Sequence, residues 1–267
     1  MLKDITIGQY YPGKSILHRL DPRMKMIMTF VFIVALFAAS NKIGLAVGAF
    51  IVIIAYACAK IPLKFLMKSL KPIIPLVLIT SVLNLFFLTE GNALFRFWII
   101  TVTTEGISFA VVMSVRIICL IAGTSLLTYT TTPIALTDAI EQLLAPLKKI
   151  KLPVHELAMM MTIAMRFIPT LIDETDKIMN AQKARGADLE TGGPVKRVKA
   201  LVPILIPLFV SAFRRADELA IAMECRCYQG GEGRTRMNHL KMKLIDLWAG
   251  LFILACLAGV VCINIFL

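Results

Sequence analysis

Charge is scarce in this sequence: Asp, Glu, Lys and Arg supply only 17% of its 267 residues, and histidine occurs three times. So few polar groups cannot cover a water-soluble globule, so a soluble domain is excluded. Metal-ligand spacing is also missing. His18, His155 and His239 are scattered, Cys58, Cys119, Cys256 and Cys262 lie within apolar runs, and Cys225 and Cys227 are one residue apart with no second ligand pair to follow. This excludes a zinc site and a disulfide framework. The N-terminus lacks the basic, apolar, small-residue order of a cleavable signal, so the chain is expected to be inserted as it stands. No nucleic-acid recognition module is present, and no nucleic-acid partner is expected.

What is present is apolar. Hydrophobic residues make up 58% of the chain, and the mean hydropathy is +0.79. A membrane helix needs roughly 20 residues to cross about 30 Å of hydrocarbon. Five runs qualify: Met26 to Asn41, Ile43 to Ala59, Pro72 to Thr89, Ile107 to Thr128 and Leu247 to Leu267, with Arg116 the one charge inside them. The formal charge of +12, from 29 Lys and Arg against 17 Asp and Glu, then reads as topology. Lys3, Lys14, Arg19, Arg23 and Lys25 precede the first run, and Lys60, Lys64, Lys68 and Lys71 separate the second from the third. Basic residues collect on the cytoplasmic side. The opposite connections hold only Lys42 and Arg96. The N-terminus is therefore expected inside, and the last span leaves the C-terminus outside.

Between the fourth and last runs lies a stretch of mixed charge and long apolar pieces, in which three helices can be read. Thr132-Pro133 is a cap and first-turn pair, and Leu136, Ile140, Leu143, Leu144 and Leu147 follow on one face of an interfacial helix. The other two helices share a layout. One runs from Val154 through Pro169 to Ala184-Arg185-Gly186; the next runs from Val198 through Pro203 and Pro207 to Glu224-Cys225-Arg226-Cys227. Thr191-Gly192-Gly193-Pro194 is the turn between them. Each has an apolar, proline-bent first part and a polar last part closed by an arginine. Both are expected to project their C-terminal ends into the cytoplasm. The chain thus divides into a cytoplasmic segment 1–25, a four-helix membrane region 26–131, an amphipathic region 132–243 and a C-terminal span 244–267. The fold class is all-α, a polytopic membrane protein with about five transmembrane helices and three cytoplasmic or interfacial ones.

Several motifs compete for a function. Gly8-Gln-Tyr-Tyr-Pro-Gly13-Lys14-Ser15 matches the phosphate-loop pattern, but a phosphate loop joins a strand of a covered sheet to a helix, and no room for that sheet remains before the first span. Its expected role is to fold the N-terminal segment over the cytoplasmic face. Arg116 at mid-span reads either as part of an ion or substrate path or as a bundle-facing cation satisfied by carbonyls or hydroxyls, and the structural reading is favoured. A stand-alone secondary transporter or channel would rest on it alone. Glu156 beside His155 is the one adjacent acid and histidine pair for an intramembrane enzyme, but successive helix positions do not face each other. Met159, Met160, Met161 and Met165 form a stripe that reads equally as core or as an adaptable partner surface. Arg185 and Arg226 are the sharpest candidates. Arginines at two helix tips suit bidentate docking onto carboxylates of a partner.

With these residues in view, the chain resembles the transmembrane coupling subunit, or T component, of energy-coupling factor (ECF) transporters. The resemblance spans nearly the whole chain and rests on His18-Arg-Leu-Asp-Pro-Arg23, on Arg166-Phe-Ile-Pro169, and on the two arginine motifs. Ala184-Arg185-Gly186 matches the family pattern in full. The second motif retains Glu224 and Arg226 but carries Cys227 where glycine is usual, a departure that bears on the cap geometry. The resemblance implies a non-catalytic subunit whose two arginines dock into two ABC-type ATPases. Its long helices, bent at Pro169, Pro203 and Pro207, pass ATP-driven motion to a substrate-binding membrane subunit, the S component, for uptake of vitamins or other micronutrients. It implies no cofactor in this chain, ATP and magnesium being bound by the ATPases. Location in the plasma membrane, in contact with lipid, follows.

Overall fold

Hydrocarbon offers no partners to backbone N–H and C=O groups, so each apolar run must satisfy its own, and a helix does so. The computed structural model describes residues 10–39, 41–87, 93–97, 100–150, 153–187, 193–230 and 242–266. The fold is all-α, with helices α1 (Ile16–Arg19), α2 (Pro22–Ala38), α3 (Lys42–Ala59), α4 (Leu63–Leu70), α5 (Ile74–Phe87), α6 (Thr104–Thr130), α7 (Pro133–Leu144), α8 (Val154–Ala184), α9 (Pro194–Glu224) and α10 (Leu244–Phe266). A short antiparallel hairpin, β1 (Ala93–Phe97) with β2 (Ile100–Thr103), decorates the connection between α5 and α6.

Among the described residues, three helices are long and apolar enough to cross a bilayer, Lys42–Ala59, Thr104–Thr130 and Leu244–Cys262, or four where a bent pair counts as one span. The third expected span, from Pro72, is instead the second half of a broken pair, with α4 and α5 meeting at 58°. Pro72 marks the break: Lys71 is still helical at φ −49°, ψ −48°, with its N–H on Met67 O, but Pro72 has no N–H with which to continue the ladder. The first expected span is α2. It begins four residues earlier than hydropathy suggests because Asp21 caps it, its Oδ1 accepting from Arg23 N at 2.9 Å, and Pro22 occupies the first turn. Its 17 residues rise about 25 Å. Thr132 caps α7 as expected, Oγ1 accepting from Ala135 N at 3.3 Å. That helix stops at Leu144, however, and a 3₁₀ turn over Ala145–Ile150 takes Leu147 off the helix. Helix α9 starts at Pro194 rather than Val198. Part of the expected turn before it, Thr191 and Gly192, lies outside the described residues.

The chain forms two compact units, Gly8–Ala139 with His239–Leu267, and Met1–Ile7 with Ile140–Asn238. In the first unit, α2, α3 and α6 enclose a core of Phe32, Leu36, Leu45, Val52, Tyr56, Cys119, Ala122 and Tyr129. Small residues let the helices approach: a Cβ on Gly48 would lie 2.6 Å from Leu36. Polar contacts set the directions. Lys25 meets Thr130 and Arg116 meets Ala39, so α6 runs against α2. Asp246 meets Asp21 and Asn264 meets Ala38, so α10 runs with α2. In the second unit, α8 packs against α9 through Ile163, Phe167 and Leu171 on one side and Ala212, Ala216, Leu219 and Met223 on the other.

Candidate functional site

The two arginine motifs fold into one and the same helix ending. At the end of α8, Gly186 N donates to Lys183 O (3.0 Å) and Ala187 N to Gln182 O (3.0 Å), with Gly186 in the left-handed region at φ 84°. At the end of α9, Cys227 N donates to Glu224 O (2.8 Å) and Tyr228 N to Met223 O (3.1 Å), with Cys227 at φ 55°. Both are Schellman endings, which satisfy helix carbonyls that would otherwise lack partners. Position by position, Arg185 corresponds to Arg226, Gly186 to Cys227 and Lys183 to Glu224. The cap geometry therefore survives the loss of glycine, although a side chain in that region costs about 1–2 kcal/mol. Both arginines are exposed, as are Ala184, Gly186 and Glu224.

The helices that carry them do not project in one common direction. Arg215 Nη2 donates to Glu174 Oε2 at 2.8 Å, and further along, Gln182 Nε2 donates to Pro203 O at 3.4 Å. Moving toward the C-terminus of α8 thus means moving toward the N-terminus of α9: the pair is antiparallel. Each arginine lies eleven residues beyond the bridged side chain of its own helix, Glu174 to Arg185 and Arg215 to Arg226. That is about 16 Å of helix on either side of the bridge. The tips are set on opposite arms of a pseudo-symmetric pair.

The prolines lie within unbroken helices, Pro169 in α8 and Pro203 and Pro207 in α9. Pro207 has no N–H to give to the carbonyl four residues back, which is that of Pro203. Gln182 supplies the missing donor from the neighbouring helix. Of the methionine stripe, Met160 and Met161 are exposed, whereas Met159 and Met165 are half-buried. A larger apolar surface is on α9, where Val198, Val202, Ile206, Phe209, Val210 and Phe213 are all exposed. Hydropathy alone reads this face as a helix interior. Its exposure emerges only once α8 is seen to cover the other side.

Other motifs are absorbed by packing. Gly8 lies outside the described residues, but Gly13 and Ser15 serve His18: a Cβ on Gly13 would lie 2.8 Å from the imidazole, and Ser15 Oγ meets Nδ1 at 2.6 Å while Nε2 donates to Tyr11 O at 2.9 Å. The space a phosphate would need is filled by the ring. Arg116 takes the structural role: its Nη2 donates to Ala39 O at the C-terminal end of α2, where a cation is favoured by the helix dipole. Asn264 of α10 donates to the adjacent Ala38 O. His155 faces Glu141 of α7 at 3.2 Å, not its neighbour Glu156.

A buried polar knot went unread in the sequence. Lys25 Nζ donates to Thr130 O at 2.9 Å, where α6 ends. Asp246 accepts from Asp21 N and from Lys243 N, both at 2.7 Å, and is 2% exposed. In the sequence Lys25 counts only among the basic residues before the first run. The available signal was that Asp21 and Asp246 are the acidic residues bordering the first and last apolar runs.

The family model described as cobalt transport protein (CbiQ) matches residues 13–237. The energy-coupling factor transporter transmembrane protein EcfT of Clostridium kluyveri is 54% identical over 266 residues, covering 99% of this chain and 97% of its own. The EcfT proteins of Ruminiclostridium cellulolyticum and Bacillus subtilis are each 54% identical, over 92% and 90% of this chain and 92% and 91% of theirs.

Proposed function

The chain belongs to the CbiQ/EcfT family of energy-coupling factor transporter transmembrane proteins, and on that premise we propose that it couples two ATPase subunits to a substrate-binding membrane subunit. The observation that carries this reading is the matched pair of arginine caps on opposite arms of the antiparallel helices. Two similar ATPases assemble about a two-fold axis. A receptor for such a dimer needs two equivalent anchors facing apart, and Arg185 and Arg226 supply them. Each guanidinium docks against carboxylates of one ATPase, with Ala184 and Gly186 leaving room at one tip and Glu224 shaping the other.

Closure of the ATPases on ATP moves the two tips, and α8 and α9 carry that movement as stiff rods of about 46 Å each. Pro169, Pro203 and Pro207 are the places where those rods yield. The exposed apolar face of α9, with Met160 and Met161 of α8, receives the S component, and methionine adapts to more than one such partner. The substrates are vitamins or other micronutrients, chosen by the S component. ATP and magnesium belong to the ATPases; this chain binds no cofactor and performs no catalysis. The basic residues before α2 and around α4 support an orientation with the N-terminus in the cytoplasm and the C-terminus outside. A stand-alone transporter loses its support, because the mid-span arginine on which it rested caps α2.

The test is Arg185→Glu combined with Arg226→Glu. The expected result is a subunit that inserts normally but no longer co-purifies with the ATPases and gives no ATP-dependent uptake. Normal uptake by the double variant would overturn the reading.

A further inference from the structure

Among the described residues, exposed charge of one sign is concentrated on and beside helix α4. Lys60, Lys64, Lys68 and Lys71 are all exposed, no acidic residue occurs between Asp21 and Glu90, and none of the four lysines forms an ion pair with a described residue. The helix has two distinct sides. Phe65 and Leu66 pack against the core, with the Phe65 ring 5.8 Å from that of Tyr129 and 5.2 Å from that of Tyr11. Tyr129 OH donates to Phe65 O at 3.0 Å and also meets Ser69. At about 100° per residue, the opposite side holds Leu63 and Met67, one turn apart and 71% and 60% exposed, next to Lys64, Lys68 and Lys71. Two large apolar side chains beside a row of lysines is the pattern of a helix lying in a bilayer interface.

The location agrees. Helix α4 is tied by three residues to the end of the α3 span and by three to α5, which it meets at 58°. It cannot leave the level at which those spans enter the lipid. We infer that α4 is a binding site for acidic phospholipid: Leu63 and Met67 sink into the acyl boundary, and Lys60, Lys64, Lys68 and Lys71 gather anionic headgroups. The lipid fits better than an acidic protein, because a protein would have to displace the bilayer from two apolar side chains that already lie at its surface. The gathered headgroups hold the bent α4–α5 pair at its angle. Tyr129 is the next-to-last residue of α6, so that angle is transmitted through Tyr129 to the end of α6.

The experiment takes the complete transporter from vesicles of three parts phosphatidylcholine to one part phosphatidylglycerol, and measures co-purifying lipid by mass spectrometry. The parent complex should carry phosphatidylglycerol enriched several-fold over the vesicles. Lys64→Gln with Lys68→Gln should reduce that enrichment at least threefold, and a charge-matched control, Lys177→Gln with Lys199→Gln, should leave it unchanged. Leu63→Ser with Met67→Ser, which keeps every charge, should also reduce it. Equal enrichment in the α4 variants and the parent would overturn the inference, as would equal loss in the control. If the lysine variant sheds a partner subunit while its lipid is unchanged, α4 is a protein contact and the inference fails.

Discussion

The two units of this chain treat their surfaces in opposite ways. In the membrane unit several polar groups are paired between helices: Lys25 reaches the end of α6, Asp246 accepts two backbone bonds, and Arg116 and Asn264 donate to carbonyls at the C-terminal end of α2, although Arg116 Nε and Asp21 Oδ2 are buried without hydrogen bonds. In the α8–α9 unit the apolar groups are displayed, with Phe209 and Phe213 60% and 69% exposed. A buried polar group without a partner is costly, and an apolar face without cover is an interface in waiting. The difference separates polar groups paired between the helices of one unit from an apolar face that the described residues of the other leave uncovered.

Breaking the first half of that contrast should have the largest effect. Asp246→Ala leaves the buried N–H of Asp21 without its acceptor, at roughly 1–3 kcal/mol, and also removes the acceptor of the N–H of Lys243, an exposed residue. The expected outcome is a subunit that fails to accumulate or melts well below the parent, read by size-exclusion chromatography after heating in detergent. Asp246→Asn, which keeps an acceptor oxygen, should recover part of the loss. An unchanged melting profile for the alanine variant would show that the knot is ornamental.

Breaking the second half should leave the fold intact. Phe209→Asp places a charge on the displayed face of α9 without disturbing a buried contact. The subunit should insert and keep its ATPases but lose its substrate-binding partner in co-purification. Retention of that partner would mean that the face serves lipid alone. The smallest effect lies within the α8–α9 unit, where the two helix endings differ by one residue. Cys227→Gly removes a side chain from the left-handed region and should stabilise the end of α9 by about 1 kcal/mol, while Gly186→Ala should cost α8 about the same. Amide exchange at Tyr228 and Ala187 compares the two endings directly, and opposite shifts are expected.

Much of the helical membrane architecture is legible in the sequence, because hydropathy acts over whole segments. The limits of α3 match to a residue, since Asn41 and Lys60 interrupt an otherwise apolar run. The start of α2 was misplaced because Asp21-Pro22 is a capping signal that hydropathy does not register, and the α4–α5 break because Pro72 acts on geometry rather than on polarity. The arginine motifs are visible as letters. That they end their helices identically, with Cys227 adopting the backbone of a glycine, is not, because left-handed residues are set by carbonyls left over at a helix end. Nor is the antiparallel arrangement, which depends on pairings such as Glu174 with Arg215 made at long range.

Helix α10 touches α2 at both ends, through Asp246 at the start and Asn264 at the finish. In the order of synthesis these are the last and the first long helices of the chain. The N–H of Asp21 and the carbonyl of Ala38 therefore take their partners from 225 and 226 residues further along the chain. Without Leu244–Phe266 the N–H of Asp21 and the carbonyl of Ala38 would both lose these partners, so the two ends of α2 are closed by a single distant helix.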